Sequence, residues 1–377
     1  MRKYQDLGRR LKQHVTGDTP DKPPIHHVVN PATTTPRLAS QVCGQCHSHM
    51  VNHDNDSEGS RNFLKTGLAY RPGDDLDQFA RFLKLDDGFP GNQFRFWADG
   101  NCRSGGREYN GLLGSPCYQV PAGTGDHSRQ MSCLSCHSMH NAPANDQLIP
   151  AATSNTYCTT CHPKFRQTEA LEAHTHHQAK GDGRRCYNCH MPHTSYALFK
   201  AIRSHQIDSP RVRPTGPNTR PNACNLCHLD RSLQWTADYL ERWYGKPIEV
   251  DLTEPQRFVP AALHDALAGD AGQRALAAWA MGWPPAMAIS SAESGWTAEV
   301  LLGLLADPYD AVRYVAIESL RRQAGFGDLG LADYDYVASR EKRRVMIRLL
   351  RDRLQATAPA PARIPRPALG LAVLRYR

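Results

Sequence analysis

The fold is decided by residues 133–162, which read CLSCHSMHNAPANDQLIPAATSNTYCTTCH. This stretch holds two copies of the motif Cys-x-x-Cys-His, and the chain carries three more copies elsewhere. The five motifs are Cys43-Gly44-Gln45-Cys46-His47, Cys133-Leu134-Ser135-Cys136-His137, Cys158-Thr159-Thr160-Cys161-His162, Cys186-Tyr187-Asn188-Cys189-His190 and Cys224-Asn225-Leu226-Cys227-His228. With 12 cysteines and 18 histidines in 377 residues, chance would supply about 0.02 such motifs. The repetition therefore reflects a chemical requirement.

The spacing predicts covalent attachment of one heme c at each motif. Two cysteines three residues apart reach the two vinyl groups of one porphyrin, and the following histidine lies under the iron as its proximal ligand. The thioether cysteines would be Cys43, Cys46, Cys133, Cys136, Cys158, Cys161, Cys186, Cys189, Cys224 and Cys227, and the proximal ligands His47, His137, His162, His190 and His228. Zinc ribbons also use Cys-x-x-Cys pairs, but zinc gives no reason for a histidine after every pair. We expect five covalently bound heme c groups.

The density of the motifs predicts the fold class. Four of them lie between Cys133 and His228, about one in every 24 residues, which is too short for a conventional apolar core between motifs. The porphyrins must then form the core, with the chain wrapped around them as short helices and loops. We expect a mainly α protein with much irregular loop, in which a multiheme region around stacked hemes joins a C-terminal α-helical domain.

The pattern along the chain predicts five parts. They are an N-terminal segment with the first motif (1–53), a heme-free insert (54–126), a four-heme region (127–230), an α-helical HEAT-like domain (231–355) and a basic tail rich in Pro and Ala (356–377). The insert holds several phenylalanines and the two spare cysteines, Cys102 and Cys117. In an oxidising compartment these cysteines are expected to form a disulfide.

The C-terminal part has helical periodicity. Leu233, Ala237, Leu240 and Tyr244 form an apolar stripe at helical spacing, and Asp230 is placed to cap the first turn. Residues 273–280 then align with residues 312–319 at an offset of 39. That offset is typical of HEAT-type helix pairs, although generic amphipathic helices would look similar.

Thirteen histidines lie outside the motifs, more than five hemes need as sixth ligands. From their positions we expect His140 and His205 to bind iron, together with one or two histidines of the cluster at 174–177, His177 before His174. Further candidates are His14, His26 and His193. Methionine ligation would raise the reduction potential, and residues 50, 131, 139 and 191 are methionines near motifs, but the excess of histidine makes this the minor alternative.

Charge and hydropathy bear on partners and location. Residues 340–377 hold 11 Lys and Arg against Glu341 and Asp352, so this end is expected to dock on an acidic partner, an anionic membrane or the heme region, unless it is simply a solvated helix face. No apolar run has membrane-spanning length, and the opening residues do not resemble a secretory signal. Because heme c is attached outside the cytoplasm, we expect a periplasmic or extracellular protein from which the signal was removed, or whose gene begins further upstream.

The chain resembles bacterial multiheme cytochromes that join a heme-rich region to HEAT or tetratricopeptide repeats. The resemblance covers most of residues 25–325 and rests on five segments: residues 71–76 (RPGDDL), 106–111 (GREYNG), 133–140 (CLSCHSMH), 189–192 (CHMP) and 221–228 (PNACNLCH). The heme arrangement is similar to that of the superfamily that includes hydroxylamine oxidoreductase and its tetraheme electron acceptor. The resemblance implies stacked bis-histidine hemes, with the cluster at 174–177 and His205 supplying distal ligands. Relatives usually have further N-terminal heme motifs, followed by a Gly-rich stretch that ends in a histidine. Residues 8–14 resemble the end of that stretch, without a cysteine pair before it.

Three functions remain open from the sequence. The first is an electron-transfer conduit, serving other cytochromes or a quinol-linked complex. The second is an oxidoreductase acting on a small nitrogen or sulfur species at one open heme; some such enzymes replace the proximal histidine by lysine, and no Cys-x-x-Cys-Lys occurs here. The third is a protomer of a homo-oligomer or heme filament. Nothing in the sequence indicates a nucleic-acid partner.

Overall fold

The computed structural model describes residues 29–53, 70–119, 130–143, 146–178, 180–197, 199–212, 218–247, 251–290, 295–323 and 330–357, with residues 11, 15 and 16. The fold is mainly α with much irregular loop, which confirms the predicted fold class. Within these residues, no helix combines the length and the apolar character needed to cross a membrane.

Fifteen α-helices and four short strands are found in the described part of the chain. The helices are α1 Pro36–Gly44, α2 Asn92–Arg95, α3 Glu108–Leu113, α4 Pro116–Gln119, α5 Thr156–Cys161, α6 Thr168–Thr175, α7 Cys186–His190, α8 Leu233–Tyr244, α9 Glu254–Phe258, α10 Ala261–Ala268, α11 Ala271–Met281, α12 Pro284–Ser290, α13 Gly295–Leu304, α14 Asp310–Arg322 and α15 Arg340–Thr357. The strands are β1 Met50–Asn52, β2 Ala80–Phe82, β3 His193–Ala197 and β4 Lys200–Arg203. They form two antiparallel pairs, β1 with β2 and β3 with β4.

The C-terminal helices form a conventional apolar core. Helix α10 packs on α11, α13 packs on α14, and α11 and α14 lie against each other. The core cluster runs from Leu226 to Leu354 and includes the fully buried Leu301 and Leu320. The two aligned segments of the sequence are thus parts of two packed helices, α11 and α14. Their assignment to HEAT repeats stays a prediction.

Equivalent arginines in α11 and α14 hold the same turn between the helix pairs. Arg274 makes two hydrogen bonds to the carboxylate of Asp307, at 2.6 and 3.0 Å. Arg313, 39 residues later, donates to the carbonyl oxygen of the same Asp307 at 2.6 Å and to that of Tyr336 at 2.6 Å. Both guanidinium groups are thereby anchored on residue 307, and the two helix pairs share one polar support.

The hairpin β3–β4 joins the motif region to the C-terminal helices. Trp97 is fully buried between Ala201 of β4 and Leu276 of α11, and its indole nitrogen donates to the carbonyl of Thr194 at 2.8 Å. Arg103 stacks on Trp97, with 4.3 Å from its guanidinium carbon to the ring centroid. The insert therefore contacts both other regions instead of standing apart.

Helix α8 covers the predicted stripe but is capped differently from the expectation. The hydroxyl of Ser232 accepts a hydrogen bond from the backbone nitrogen of Trp235 at 3.2 Å, which makes Ser232 the N-cap. Asp230 lies before the cap and pairs with Arg231 at 3.1 Å. The prediction that Asp230 caps this helix was wrong, because the helix begins only at Leu233.

The predicted disulfide between Cys102 and Cys117 is also wrong, because both are free thiols. Cys102 is buried with Leu83 and Phe96, and an isolated antiparallel β-bridge pairs its backbone with that of Phe96. Cys117 lies on α4, where burial and the nearby thiol of Cys158 raise its pKa. Burial raises the pKa of the Cys102 thiol to about 11, so this thiol stays protonated and behaves as an apolar side chain.

Candidate heme-binding sites

Each Cys-x-x-Cys-His motif folds into a single helical turn. The backbone nitrogen of the motif histidine donates to the carbonyl of the first cysteine in four of the motifs, at 2.9 Å for His47, 3.0 Å for His137, 3.0 Å for His162 and 2.9 Å for His228. The remaining motif, the fourth along the chain, coincides with α7. One turn places the two thiols on the same side, because residues three apart are neighbours on a helix surface. This is the spacing that thioether bonds to one porphyrin require.

The five motifs are neighbours in space in the order in which they occur in the chain. The thiols of Cys43 and Cys133 lie within hydrogen-bonding distance, and the backbone nitrogen of Cys133 donates a hydrogen bond to the hydroxyl oxygen of Ser40 of α1. Cys136 lies near Cys158, Cys158 contacts Cys186, and Cys189 lies near Cys224. The first motif is separated from the others in sequence by the insert, yet it lies directly beside the second.

Three motif histidines each face a histidine from outside the motifs. His137 faces His205 with ring centroids 6.2 Å apart and planes at 20°. His190 faces His174 at 6.1 Å and 3°. His228 faces His177 at 6.1 Å and 34°. In every case one partner belongs to a motif and the other comes from a different segment of the chain.

The separation of these rings fits a metal ion between them. Two imidazole–metal bonds of about 2.0 Å and about 1.1 Å from each nitrogen to its ring centre add up to roughly 6.2 Å. The three observed separations lie at this value. The described residues thus fit bis-histidine heme iron at the second, fourth and fifth motifs.

Hydrogen bonds at Nδ1 fix the tautomer of the ligand histidines. The Nδ1 atoms of His137 and His190 lie 2.8 and 2.9 Å from the carbonyl oxygens of residues 146 and 208. Those of His177 and His205 lie 2.6 and 3.0 Å from the carbonyl oxygens of residues 175 and 203. A carbonyl can only accept, so each Nδ1 carries the proton and each Nε2 keeps its lone pair for a metal.

Burial also favours the neutral rings. It lowers the pKa of His174, His205 and His228 below the usual value for histidine. Metal binding requires the neutral imidazole. The surroundings of these three rings therefore favour the form that binds iron.

Glycines allow the chain to approach two of the distal histidines. A Cβ at Gly183 would overlap the ring of His177. A Cβ at Gly111 of α3 would lie 2.9 Å from the carbonyl carbon of His205, which is closer than side-chain atoms approach a backbone without displacement. These glycines keep α3 and the turn at residues 182–184 close to the distal ligands.

The first motif has a different arrangement, which sequence reasoning missed. Nδ1 of His47 lies 3.0 Å from Oε2 of Glu108, at the start of α3. Burial raises the pKa of Glu108, but backbone hydrogen bonds and the contact with His47 outweigh it, so the net pKa lies below the usual value. Glu108 is therefore ionised at neutral pH. The only signal in the sequence was its place in segment 106–111, which carries the family resemblance.

The remaining histidine candidates lie elsewhere. His193 packs against Trp279 and Trp283, with centroids 4.4 and 5.2 Å apart, in the junction with the C-terminal helices. Since these tryptophans fill the space around its ring, we no longer propose it as an iron ligand. His140 is exposed, and within the described ranges no motif histidine faces it, so its ligand role stays a prediction. His14 and His26 lie outside the described residues.

Comparison with known proteins agrees with the motif geometry. The chain matches the family model for the doubled CXXCH motif over residues 127–167. No curated protein and no solved structure matches the chain. The doubled motif is typical of multiheme c-type cytochromes, and it indicates covalent binding of heme c and a role in electron transfer.

Proposed function

We propose that this chain is a pentaheme c-type cytochrome that conducts electrons through bis-histidine hemes. The observation that supports this most strongly is the set of three opposed histidine pairs at His137, His190 and His228. Two imidazole ligands leave neither face of a heme free for a substrate, so such a heme passes electrons only.

The chain's own residues prepare a continuous series of sites. Each motif turn aligns two thiols and a histidine, and successive motifs contact each other from Cys43 through Cys224. Bound heme c would supply reversible one-electron exchange at its iron. The distal histidines exclude small ligands, and the carbonyl oxygens that bind Nδ1 hold the rings in the orientation that iron needs.

Intact mass and ligand binding test the proposal together. The wild-type chain should carry five covalent hemes, show low-spin ferric spectra and bind almost no carbon monoxide in the ferrous state. His205→Ala, His177→Ala and His174→Ala should each expose one iron, which appears as about one carbon monoxide per chain and a high-spin ferric signal. His193→Ala is the matched control and should leave both signals at the wild-type level. Four or fewer hemes, or variants indistinguishable from the control, would contradict the proposal.

A second candidate function is an oxidoreductase with one open heme. Within the described residues, no imidazole ring faces His47 or His162 in the way that His205 faces His137. An iron without a sixth protein ligand could bind a small nitrogen or sulfur species. Wild-type protein that binds about one carbon monoxide per chain would favour this candidate, and nitrite, hydroxylamine and tetrathionate are the first substrates to test.

The proposed setting follows from heme c chemistry and from the surface of the C-terminal helices. We place the protein in the periplasm or outside the cell, with other cytochromes or a quinol-linked complex as partners and a homo-oligomer or filament as a possible assembly. The helix pairs would form a HEAT-like docking domain. Helix α15 buries Ile347 and Leu350 and exposes Arg344, Arg348 and Arg351, so its outer face suits an acidic partner.

A further inference from the structure

The hydrogen bond at Nδ1 differs among the motif histidines. His137 and His190 donate to neutral backbone carbonyls of residues 146 and 208. His47 instead contacts a carboxylate, Oε2 of Glu108, at 3.0 Å. A hydrogen bond to an ionised acceptor is about twice as strong as one between neutral groups. The first motif therefore has an electronic environment of its own.

The backbone holds Glu108 in this position. The other carboxylate oxygen, Oε1, accepts a hydrogen bond from the backbone nitrogen of Gly106 at 2.7 Å. Helix α3 itself is tied to the first motif, because the backbone nitrogen of Tyr109 donates to the carbonyl of His47 at 3.0 Å. The neighbouring Arg107 donates to the carbonyl oxygens of Cys46 and Gly106, at 3.1 and 2.7 Å. The carboxylate is thus fixed on the histidine.

We propose that Glu108 is a positioning residue for His47 that lowers the reduction potential of the heme at the first motif. The carboxylate attracts the Nδ1 proton, which makes the ring a stronger electron donor through Nε2 and stabilises Fe(III) over Fe(II). Reduction adds one electron from the redox partner to Fe(III); no bond forms or breaks, and the proton stays on Nδ1. The inference rests on the proposed function, since it needs heme c at this motif.

Glu108 also lies near the second motif's distal ligand. It lines a small cavity together with His205 and Arg203. Its negative charge partly offsets the lowering of the His205 pKa by burial. The same carboxylate therefore acts weakly on the second heme with the same sign, because a negative charge favours the oxidised iron. Because Glu108 acts more strongly on the first heme than on the second, it favours electron movement from the first motif to the second.

The test compares two variants of the full-length holo-protein that each remove one carboxylate. Glu108→Gln keeps the shape of the side chain and removes the charge beside His47. Glu169→Gln removes a charge from the exposed face of α6 and serves as the control. Redox titration followed by optical and electron paramagnetic resonance spectra should show one midpoint raised in Glu108→Gln. We expect about a tenfold change in the reduction equilibrium, which is about 59 mV for one electron, with the remaining midpoints close to those of Glu169→Gln.

A second variant identifies the heme without altering Glu108. Replacing Cys43, Cys46 and His47 by Ala removes the first heme, and the component that disappears from the titration should be the one that Glu108→Gln shifts. Loss of a different component, or equal midpoints in the two single variants, would overturn the inference. Five low-spin hemes with unmoved midpoints would overturn this inference alone. A wild-type chain without covalent heme would overturn the proposed function and this inference together.

Discussion

The motif region at residues 130–178 contrasts with the C-terminal helices in the interactions that stabilise it. Among the described residues from 130 to 178, Leu171 is the one buried apolar side chain. The C-terminal helices bury a continuous cluster that Leu226 and Leu229 join from the fifth motif, and its members Leu301, Leu305 and Leu320 have no exposed surface. Burial of apolar surface is the main favourable term in folding. The C-terminal helices therefore have their own source of stability, and the motif region has to obtain it from heme.

This difference separates two kinds of residue pattern. In the C-terminal helices the function of most side chains is packing, and many are Ala or Leu. In the motif region the side chains include groups suited to bind heme iron, such as the facing imidazoles of His174 and His190. Binding energy of a group that is absent from the unfolded chain becomes folding energy. Loss of heme should therefore destabilise mainly the motif region, and a cavity in the apolar core should destabilise mainly the C-terminal helices.

Loss of heme should produce the largest effect and confine it to one region. A variant with Ser at all ten motif cysteines cannot form thioethers. Amide hydrogen exchange should show residues 130–178 unprotected, because little apolar burial remains there, while α11 and α14 keep their protection. Mass spectrometry of peptic fragments measures both regions in one experiment.

Equal loss of protection in both regions would contradict the claim that the C-terminal helices are stable without heme. That result would mean that the C-terminal helices depend on the motif region through Trp97 and the hairpin β3–β4. Full protection of residues 130–178 without heme would show that this region does not depend on heme for its stability. The wild-type holo-protein, in which both regions should be protected, is the control.

A cavity in the C-terminal core should produce the next largest effect. Leu301→Ala removes a fully buried side chain from α13 and should lower the free energy of unfolding of this domain by about 2–5 kcal/mol. The measurement is urea denaturation followed by far-ultraviolet circular dichroism, with the heme spectrum recorded beside it. Leu267→Ala, at a side chain that is 44% exposed, should cost much less. A changed heme spectrum in Leu301→Ala would show that the core also supports the motif region.

The sequence predicted those features that depend on local chemistry. The motif turns follow from residue spacing alone, and the mainly α class follows from the density of motifs and the helical periodicity after residue 230. The capping of α8 was missed because Asp230 and Ser232 are both good N-caps, and only the first turn of the helix decides between them. The two candidate N-caps differ by only two residues in where they would start the helix.

Contacts between distant segments were beyond the sequence. The separation of Cys102 and Cys117 depends on where Phe96 and α4 lie in three dimensions, which no spacing reveals. Glu108 meets His47 across 61 residues, and only the return of α3 to the first motif brings them together. Histidines are also ambiguous by composition: His193 and His205 both lie in or beside β3–β4, yet only His205 faces a motif histidine.

The smallest predicted effect concerns His193 at the junction of the two regions. Burial, with a further contribution from Arg203, lowers the pKa of His193 to about 2, against about 6.5 in the unfolded chain. Between these values the unfolded state binds a proton that the folded state does not, so His193 reduces stability as pH falls below about 6.5 and has no such effect above it. The slope is at most about 1.4 kcal/mol per pH unit. His193→Phe keeps an aromatic ring against Trp279 and removes the titration, so its unfolding free energy should fall less steeply from pH 6.5 to pH 4.5 than that of the wild type. Equal slopes would show that His193 is protonated in the folded protein, and the junction would then be more open than its packing against Trp279 and Trp283 indicates.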